Sequence, residues 1–281
     1  MLISIASGKG GTGKTAVSLL LGSVIDQVAI VDCDVEEPNC HLFLEPQWNK
    51  EEKATIMIPL IDQSKCIGCG RCTKVCMFNA LAMAGKKVIF FPELCHQCGG
   101  CKIVCPVGAI TEKPYPIGEI FTGIAQRTVP NITIVKGLLQ VGLPLATPLI
   151  KKLKKQLPKG KNIIVDCPPG TSCAMVASVQ DTDCCVLVTE PTPFGQHDLE
   201  LAANVVKMLG ISAGVVINKS DNSLGDKEIE TFCNSIQLPI LGKIPNDKEF
   251  AKLYFSGVVS DKYKQIAQSI WENLQKLGAK I

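Results

Sequence analysis

Short apolar runs recur along the chain and alternate with helical patterns. LISIAS at the start and VAIV at 28–31 read as strands, as do the apolar runs in KNIIVDC, CCVLVTEP and GVVINKSD. Runs of this length with few polar breaks suit strands covered on both faces. AVSLLLG follows the first strand as a helix, and PLIKKLKKQL reads as a helix with a lysine-rich face at Lys151–Lys155. Ile266, Ile270, Leu274 and Leu277 share one side of a final helix,. This order predicts an α/β fold, a mostly parallel sheet flanked by helices. The alternation breaks between residues 54 and 114. There TIMIPLID and KKVIFFPE read as strands, the second closed by Pro92, and PYPIG reads as the turn that ends the insert. The chain divides accordingly into a first part at 1–53, an insert at 54–114 and a second part at 115–281, where GEIFTGIA and NITIVKG add strand-like runs.

The insert is a duplication. Cys66, Cys69, Cys72 and Cys76 follow C-x2-C-x2-C-x3-C, and Cys95, Cys98, Cys101 and Cys105 repeat the pattern 29 positions later. This is the spacing of a bacterial two-cluster ferredoxin, so the insert is expected to be an α+β ferredoxin domain. Two-residue gaps let three thiolates converge from one loop, while the fourth comes from the other repeat. Cys66, Cys69, Cys72 and Cys105 are thus expected to hold one [4Fe–4S] cluster, and Cys95, Cys98, Cys101 and Cys76 the other. Structural zinc would use pairs at wider separation, and disulfides would need an oxidising compartment. Met77 follows Cys76 where Pro106 follows Cys105, but that proline sets a turn and is no ligand. His96 and Lys102 stand where charge would tune a cluster potential.

Composition narrows the setting. Among 281 residues, 46% are hydrophobic and the net charge is a diffuse +3, which argues for a sizeable core and against a nucleic-acid partner,. Seven cysteines outside the motif (Cys33, Cys40, Cys167, Cys173, Cys184, Cys185 and Cys233) read as small buried hydrophobes,. No signal peptide is evident, and Pro144 and Pro148 break the apolar stretch nearest to a membrane span,. A reducing cytoplasm sheltered from oxygen is expected.

GKGGTGKT at 8–15 lies between the first strand and the first helix, as G-x4-G-K-[ST] requires,. Gly8, Gly10, Gly11, Thr12 and Gly13 are expected to turn backbone N–H groups toward phosphates. Lys14 is expected to neutralise the β- and γ-phosphates, and the Thr15 hydroxyl to bind Mg²⁺. Asp32 and Asp34 end the second strand with carboxylates on one side. Asp166 ends KNIIVD and is expected to reach Mg²⁺. Cys40-His41 reads as core packing.

Lys9 makes the loop K-G-G-x-G-K-T, which resembles the deviant Walker motif of the MinD/Mrp class of P-loop ATPases. The resemblance covers essentially the whole chain, as such an ATPase carrying an inserted two-cluster ferredoxin domain. It implies ATP as ligand, with Lys9 reaching the nucleotide of a partner subunit in a nucleotide-dependent homodimer or a heterodimer with a paralogue. It also implies that Asp34 positions the attacking water, that Asp32 supports Mg²⁺ or its loop, and that Asn39 belongs to the first switch. Pro168, Pro169, Gly170 and Thr171 resemble a second switch; Cys167 and Cys173 beside it read as buried thiols rather than a third cluster. Asn218 is implied as the adenine reader, with Pro245 and Asn246 lining the purine. Asn218-Lys219-Ser220-Asp221 equally matches the guanine-reading N-K-x-D, so the base stays open between ATP and GTP. MinD anchors to membranes through a C-terminal amphipathic helix, but the final helix here reads as one packed on the sheet.

Three functions follow. Hydrolysis gates electron transfer through two clusters to a redox partner; or the protein assembles and carries iron–sulfur or metal cofactors to an acceptor; or it is a positioning ATPase with a redox-sensing module. Lys151–Lys155 reads as a solvated helix face, with a docking surface for an acidic redox partner as the sharper alternative.

Overall fold

Successive residues of a strand point to opposite faces, and here both faces are covered. The computed structural model describes residues 1–127, 132–248, 250 and 259–278. Ile3 and Ile5 of β1 (Leu2–Ala6), Val28 and Ile30 of β2 (Val28–Asp32) and Ile164 of β8 (Asn162–Asp166) join one core. Their neighbours Ala6, Ala29, Val31, Ile163 and Val165 join the other. The first core lies under α1 (Lys14–Gly22) and α9 (Asp261–Gly278). The second lies under α5 (Ala146–Lys155), α6 (Cys173–Val179), α7 (Pro193–Met208) and α8 (Leu224–Ser235). In α9 the buried seam is Tyr263, Ala267, Ile270 and Leu274, with Ile266 and Leu277 at its border.

Among the described residues the main sheet has nine strands. Besides β1, β2 and β8 it contains β7 (Thr133–Leu139), β9 (Cys184–Thr189), β10 (Ser212–Ser220) and β11 (Ile240–Pro245). These run parallel in the order β11-β10-β9-β1-β8-β2-β7. NITIVKG supplies β7 from Thr133, and Asn131 lies outside the described residues. Beyond β7 come two antiparallel strands of 15 residues each, β6 (Ile110–Ile124) and β3 (Gln47–Ile61). Only Gly118–Ile124 of β6 touch β7. Past that point β3 and β6 continue as a two-stranded ribbon toward the cysteine module, with Ala54, Ile56, Ile58 and Ile117 buried in the second core together with Ala80 and Cys95 of the module. The expected boundary at 53/54 falls at the base of this ribbon, beside the register shift between Ala54 and Thr55, and that at 114/115 falls within it.

PYPIG is therefore strand, not a turn. Pro114 and Pro116 face Met57 and Thr55 across the ribbon. Two residues apart, they share one edge, and beyond Gly118 that edge has no neighbour needing an N–H donor,. The prolines end the sheet there without breaking the strand.

Within the module, α3 (Arg71–Val75) and α4 (Gly100–Ile103) are the repeated helices, and β4 (Leu81–Ala84) pairs with β5 (Lys87–Phe90). The duplication is written in the backbone. Gly68 and Gln97 (φ 68° and 55°), Gly70 and Gly99 (both 70°), and Asn79 and Gly108 (54° and 60°) are each 29 positions apart and left-handed. Each cysteine loop turns at the same places. α2 (Cys40–Leu44) links β2 to β3 and so joins the parallel sheet to the ribbon.

Candidate nucleotide and cluster sites

β1, β8 and β2 end side by side, and the loop 8–15 closes over their carboxyl ends, the place where open α/β sheets bind ligands,. Gly11 and Gly13 have φ of 79° and 94°. A Cβ on Gly13 would come within 2.1 Å of the Asn218 amide nitrogen, whereas Gly10 and Gly11 face open space. The loop is thus backed by protein on one side and bare on the other, as a phosphate cradle requires. The Thr12 hydroxyl is buried without a hydrogen-bond partner there. These features fit a phosphate-bearing ligand.

Asn218, at the end of β10, is buried and donates to the Thr12 carbonyl at 2.7 Å. Its amide nitrogen braces the loop from behind, a contact the implied base-reading role did not anticipate. Lys219 donates to the Gly11 carbonyl at 3.0 Å and pairs with Glu190 at 3.1 Å. Glu190 also pairs with the Lys9 ammonium. Pro245 registers with Ser220, and the Asn246 N–H donates to the Ser220 carbonyl at 2.8 Å, which brings both beside the end of β10.

Asp32 and Asp166 are in register on adjacent strands. Asp166 accepts from Thr15 at 2.7 Å and from Ser18 at 3.0 Å, and the Cys40 thiol points at it from 3.3 Å. Asp32 accepts the backbone N–H groups of Asp34, Asn39 and Cys40 at 3.2, 2.9 and 3.0 Å. It therefore pins the loop 33–40 and the start of α2. Burial pushes the Asp32 carboxyl up to about 7, with the Asp166 charge adding to it. Burial likewise raises Asp166, against the hydrogen bonds from Thr15, Cys40 and Ser18. Burial lowers the Lys14 ammonium, with Asp166 and Asp34 opposing the shift. Asp34 is partly open to solvent; burial raises it to about 6 and Lys14 holds it down. Like charges crowded out of water favour a cation, and the ligand atoms of Asp32, Cys40 and Asp166 lie within 4.8 Å of one another,. Thr15 bonds to Asp166, which stands beside Asp32. Cys40, read from sequence as core, is buried but belongs to this cluster. Ser18 was missed although it lies one turn beyond Lys14 on α1, the face that Thr15 also borders.

In the module, Cys76, Cys95, Cys98 and Cys101 line one pocket with Met57, Phe78 and His96. One of these comes from the first repeat and three from the second, and four thiols around one recess suit an iron–sulfur cluster. Cys72 joins Leu81, Val88 and Ile110 in a small apolar core that Cys66, Cys76, Cys101 and Cys105 all border, while Cys69 is exposed. Cys105 Sγ accepts the Ala109 N–H at 3.2 Å, the kind of N–H···S contact that tunes a cluster,. His96 stacks on Phe78 with centroids 3.7 Å apart. Lys102 pairs with Glu112 at 2.6 Å, so its charge is largely offset. Of the thiols outside the motif, Cys173 departs from expectation. It is exposed at the start of α6, while Cys167 is buried.

Loop, aspartates and sheet order define a P-loop nucleotide-binding protein with a small cysteine-rich module on its edge. The chain belongs to the CobQ/CobB/MinD/ParA nucleotide-binding family, whose domain matches residues 3–259. It is 31% identical over 284 residues to an uncharacterized protein of Methanocaldococcus jannaschii, covering 97% of this chain and 96% of that one. An uncharacterized ferredoxin of the same organism is 41% identical over 58 residues, 19% of this chain and 75% of the ferredoxin. Among solved structures, the septum site-determining protein MinD with Mg-ADP from Pyrococcus horikoshii superposes with a TM-score of 0.60 at 21% identity, covering 100% of this chain and 99% of that one. No helix among the described residues is long and apolar enough to cross a membrane.

Proposed function

We propose that this protein binds and hydrolyses ATP and couples that cycle to electron transfer through two [4Fe–4S] clusters. One observation carries the coupling: Asp32 ties α2, the direct link to the ribbon that bears the cysteine module, to the acidic end of the nucleotide site. The Mg-ADP in the MinD relative and the ferredoxin likeness support the two halves separately.

Each residue has a part. Gly8, Gly10, Gly11, Thr12, Gly13, Lys14 and Thr15 cradle the phosphates, and Lys9 reaches the nucleotide of a second copy. Asn218 and Pro245 border the base, and Thr15, Asp32 and Asp166 hold Mg²⁺. Asp34 orients the attacking water and takes its proton as its oxygen bonds to the γ-phosphorus and the bond to ADP breaks. Cys66, Cys69, Cys72 and Cys105 hold one cluster, and Cys95, Cys98, Cys101 and Cys76 the other. The clusters supply one-electron chemistry when bound. The chain's own part is to hold them on a ribbon that the nucleotide site can move.

An anaerobic potentiometric titration followed by EPR, with and without Mg²⁺ and a non-hydrolysable ATP analogue, tests this. Linkage requires that a nucleotide which senses cluster charge also moves the cluster potential. A shift of about 59 mV corresponds to about 1.4 kcal/mol for one electron. A shift of this order supports the coupling. An unmoved potential together with unmoved reduction rates would leave a carrier or a positioning ATPase.

A further inference from the structure

The two repeated helices of the module pack against each other, and the groove over them is not symmetric. Arg71, Lys74 and Val75 from the first repeat meet Ile103, Val104, Cys105 and Pro106 from the second. The repeat offset of 29 sets Arg71 against Gly100 and Lys74 against Ile103. One wall is therefore basic and the other apolar. Ile103 on the apolar wall is 83% exposed and Val75 beside the two cations is 38% exposed, so apolar surface on both walls is open to water.

Two cations stand on the rim of this groove. Lys65 is paired with Asp62 and Lys102 with Glu112. Among the described residues Arg71 and Lys74 have no such partner, and no carboxylate lines the groove. Cys105, assigned above to a cluster, lies in its wall. An apolar centre with unpaired cations on its rim suits the rim-and-core pattern of protein interfaces and attracts a surface of opposite sign.

From this groove we infer a docking face for an acidic electron-carrier protein; the inference rests on the two-cluster reading above. The lysine-rich helix α5 does not compete for this role. Its apolar residues Leu149, Ile150 and Leu153 are buried. Lys154 is committed to the carbonyls of Ala177 and Ser178, at 3.3 and 3.1 Å, beside the end of α6.

The test is equilibrium binding of the full, cluster-loaded chain to a purified, oxidised acidic ferredoxin at low and moderate salt. Cytochrome c serves as the basic control. The pair Arg71→Glu with Lys74→Glu is expected to weaken binding about tenfold or more at low salt and to flatten the salt dependence. Ile103→Ser, at a position that packs against little, is expected to weaken it severalfold with cluster content unchanged. It carries the test if the charge reversal loses its clusters. A carbodiimide is expected to join Lys74 to a carboxylate of the ferredoxin. Lys151→Glu with Lys155→Glu is expected to leave binding as it was. Affinity unchanged within twofold in the groove variants overturns the inference. So do equal loss in the α5 variant, equal binding of cytochrome c, or a groove that instead governs self-association. A wild-type protein without iron and sulfide would remove the two-cluster reading itself. Intact clusters with charge-blind binding would remove only the docking face.

Discussion

Single side chains decide which groups in this protein can react. Asp34 is the partly open carboxylate among three, and burial raises it to about 6. A raised acid is protonated below that value, so a step that needs the carboxylate must slow as pH falls through it. ATP hydrolysis is expected to rise with pH across about 6, and Asp34→Asn to lose about 100-fold or more in rate while still binding nucleotide. A rate profile from pH 5 to 8 on both proteins checks this; a flat wild-type profile would take the role from Asp34. The cysteines divide by the same physics. Burial pushes Cys33, Cys184 and Cys185 up to about 12, and Cys40 and Cys167 well above the ordinary thiol value. Thiolate, not thiol, is the nucleophile. In anaerobic loaded protein at pH 8, iodoacetamide followed by peptide mass mapping is expected to mark Cys173 first, and the eight motif cysteines only after iron is chelated away. Early labelling of the motif cysteines before chelation would argue that they hold no clusters. Much of this was legible in the sequence. The repeated cysteine spacing and G-x4-G-K-T carry their chemistry in the order of residues. Cys40 was not legible, because its nearness to Asp166 arises across 126 positions from two strands that end together. The exposure of Cys173 likewise depends on where α6 begins.

Elements carry the link between the two sites, and here the sequence was less informative. PYPIG reads as a turn by composition, yet Pro114 and Pro116 sit where the ribbon has no neighbour, a fact set by how far β7 extends. The strand from 47 to 61 begins among polar residues, QWNKEEK, that alternation alone could not join to TIMIPLI. Pairing with β6 supplies the missing order. Lys136 lies in register with Asp32 on β7 and places its ammonium 5.0 Å from the Trp48 ring and 4.8 Å from the Phe121 ring. Burial lowers this lysine, and the Asp32 charge opposes the shift. One cation thus stands between the acidic end of the nucleotide site and the base of the ribbon. A change of charge at Asp32 when Mg-nucleotide arrives is expected to alter the contact and so the emission of Trp48. Trp48→Phe leaves Trp271 as the remaining tryptophan and is expected to abolish the change, and Lys136→Met to reduce it by half or more,. Titration of emission with Mg-ATP measures it. A response that survives in Trp48→Phe would place the motion elsewhere.

At the scale of the molecule the question is what Lys9 does before a second subunit is present. In the single chain its ammonium pairs with Glu190, and Glu190 also holds Lys219, which in turn holds the Gly11 carbonyl. The lysine that the MinD/Mrp resemblance sends across a dimer is therefore tied to its own loop. Leaving that tie costs an ion pair that is partly screened by water, worth about 0.2–1 kcal/mol. Dimerisation on nucleotide must offset this cost. Glu190→Gln removes the tie without changing shape, and each of two copies gives up one pair, so it is expected to strengthen the nucleotide-dependent dimer by up to about thirtyfold. Lys9→Ala is expected to abolish that dimer and its hydrolysis while leaving nucleotide binding near normal. Because Glu190→Gln also loosens Lys219, the comparison needs Lys219→Met, which frees Glu190 from one lysine but leaves it holding Lys9. That variant is expected to dimerise no better than wild type. Sedimentation of all four proteins with Mg²⁺ and a non-hydrolysable ATP analogue decides the matter. If Glu190→Gln and Lys219→Met strengthen the dimer equally, the loop's own stiffness controls association and Lys9 is not held in reserve. If Glu190→Gln alone does so, the pair Lys9–Glu190 sets how much nucleotide is needed before two copies, each bearing its module on a ribbon, come together.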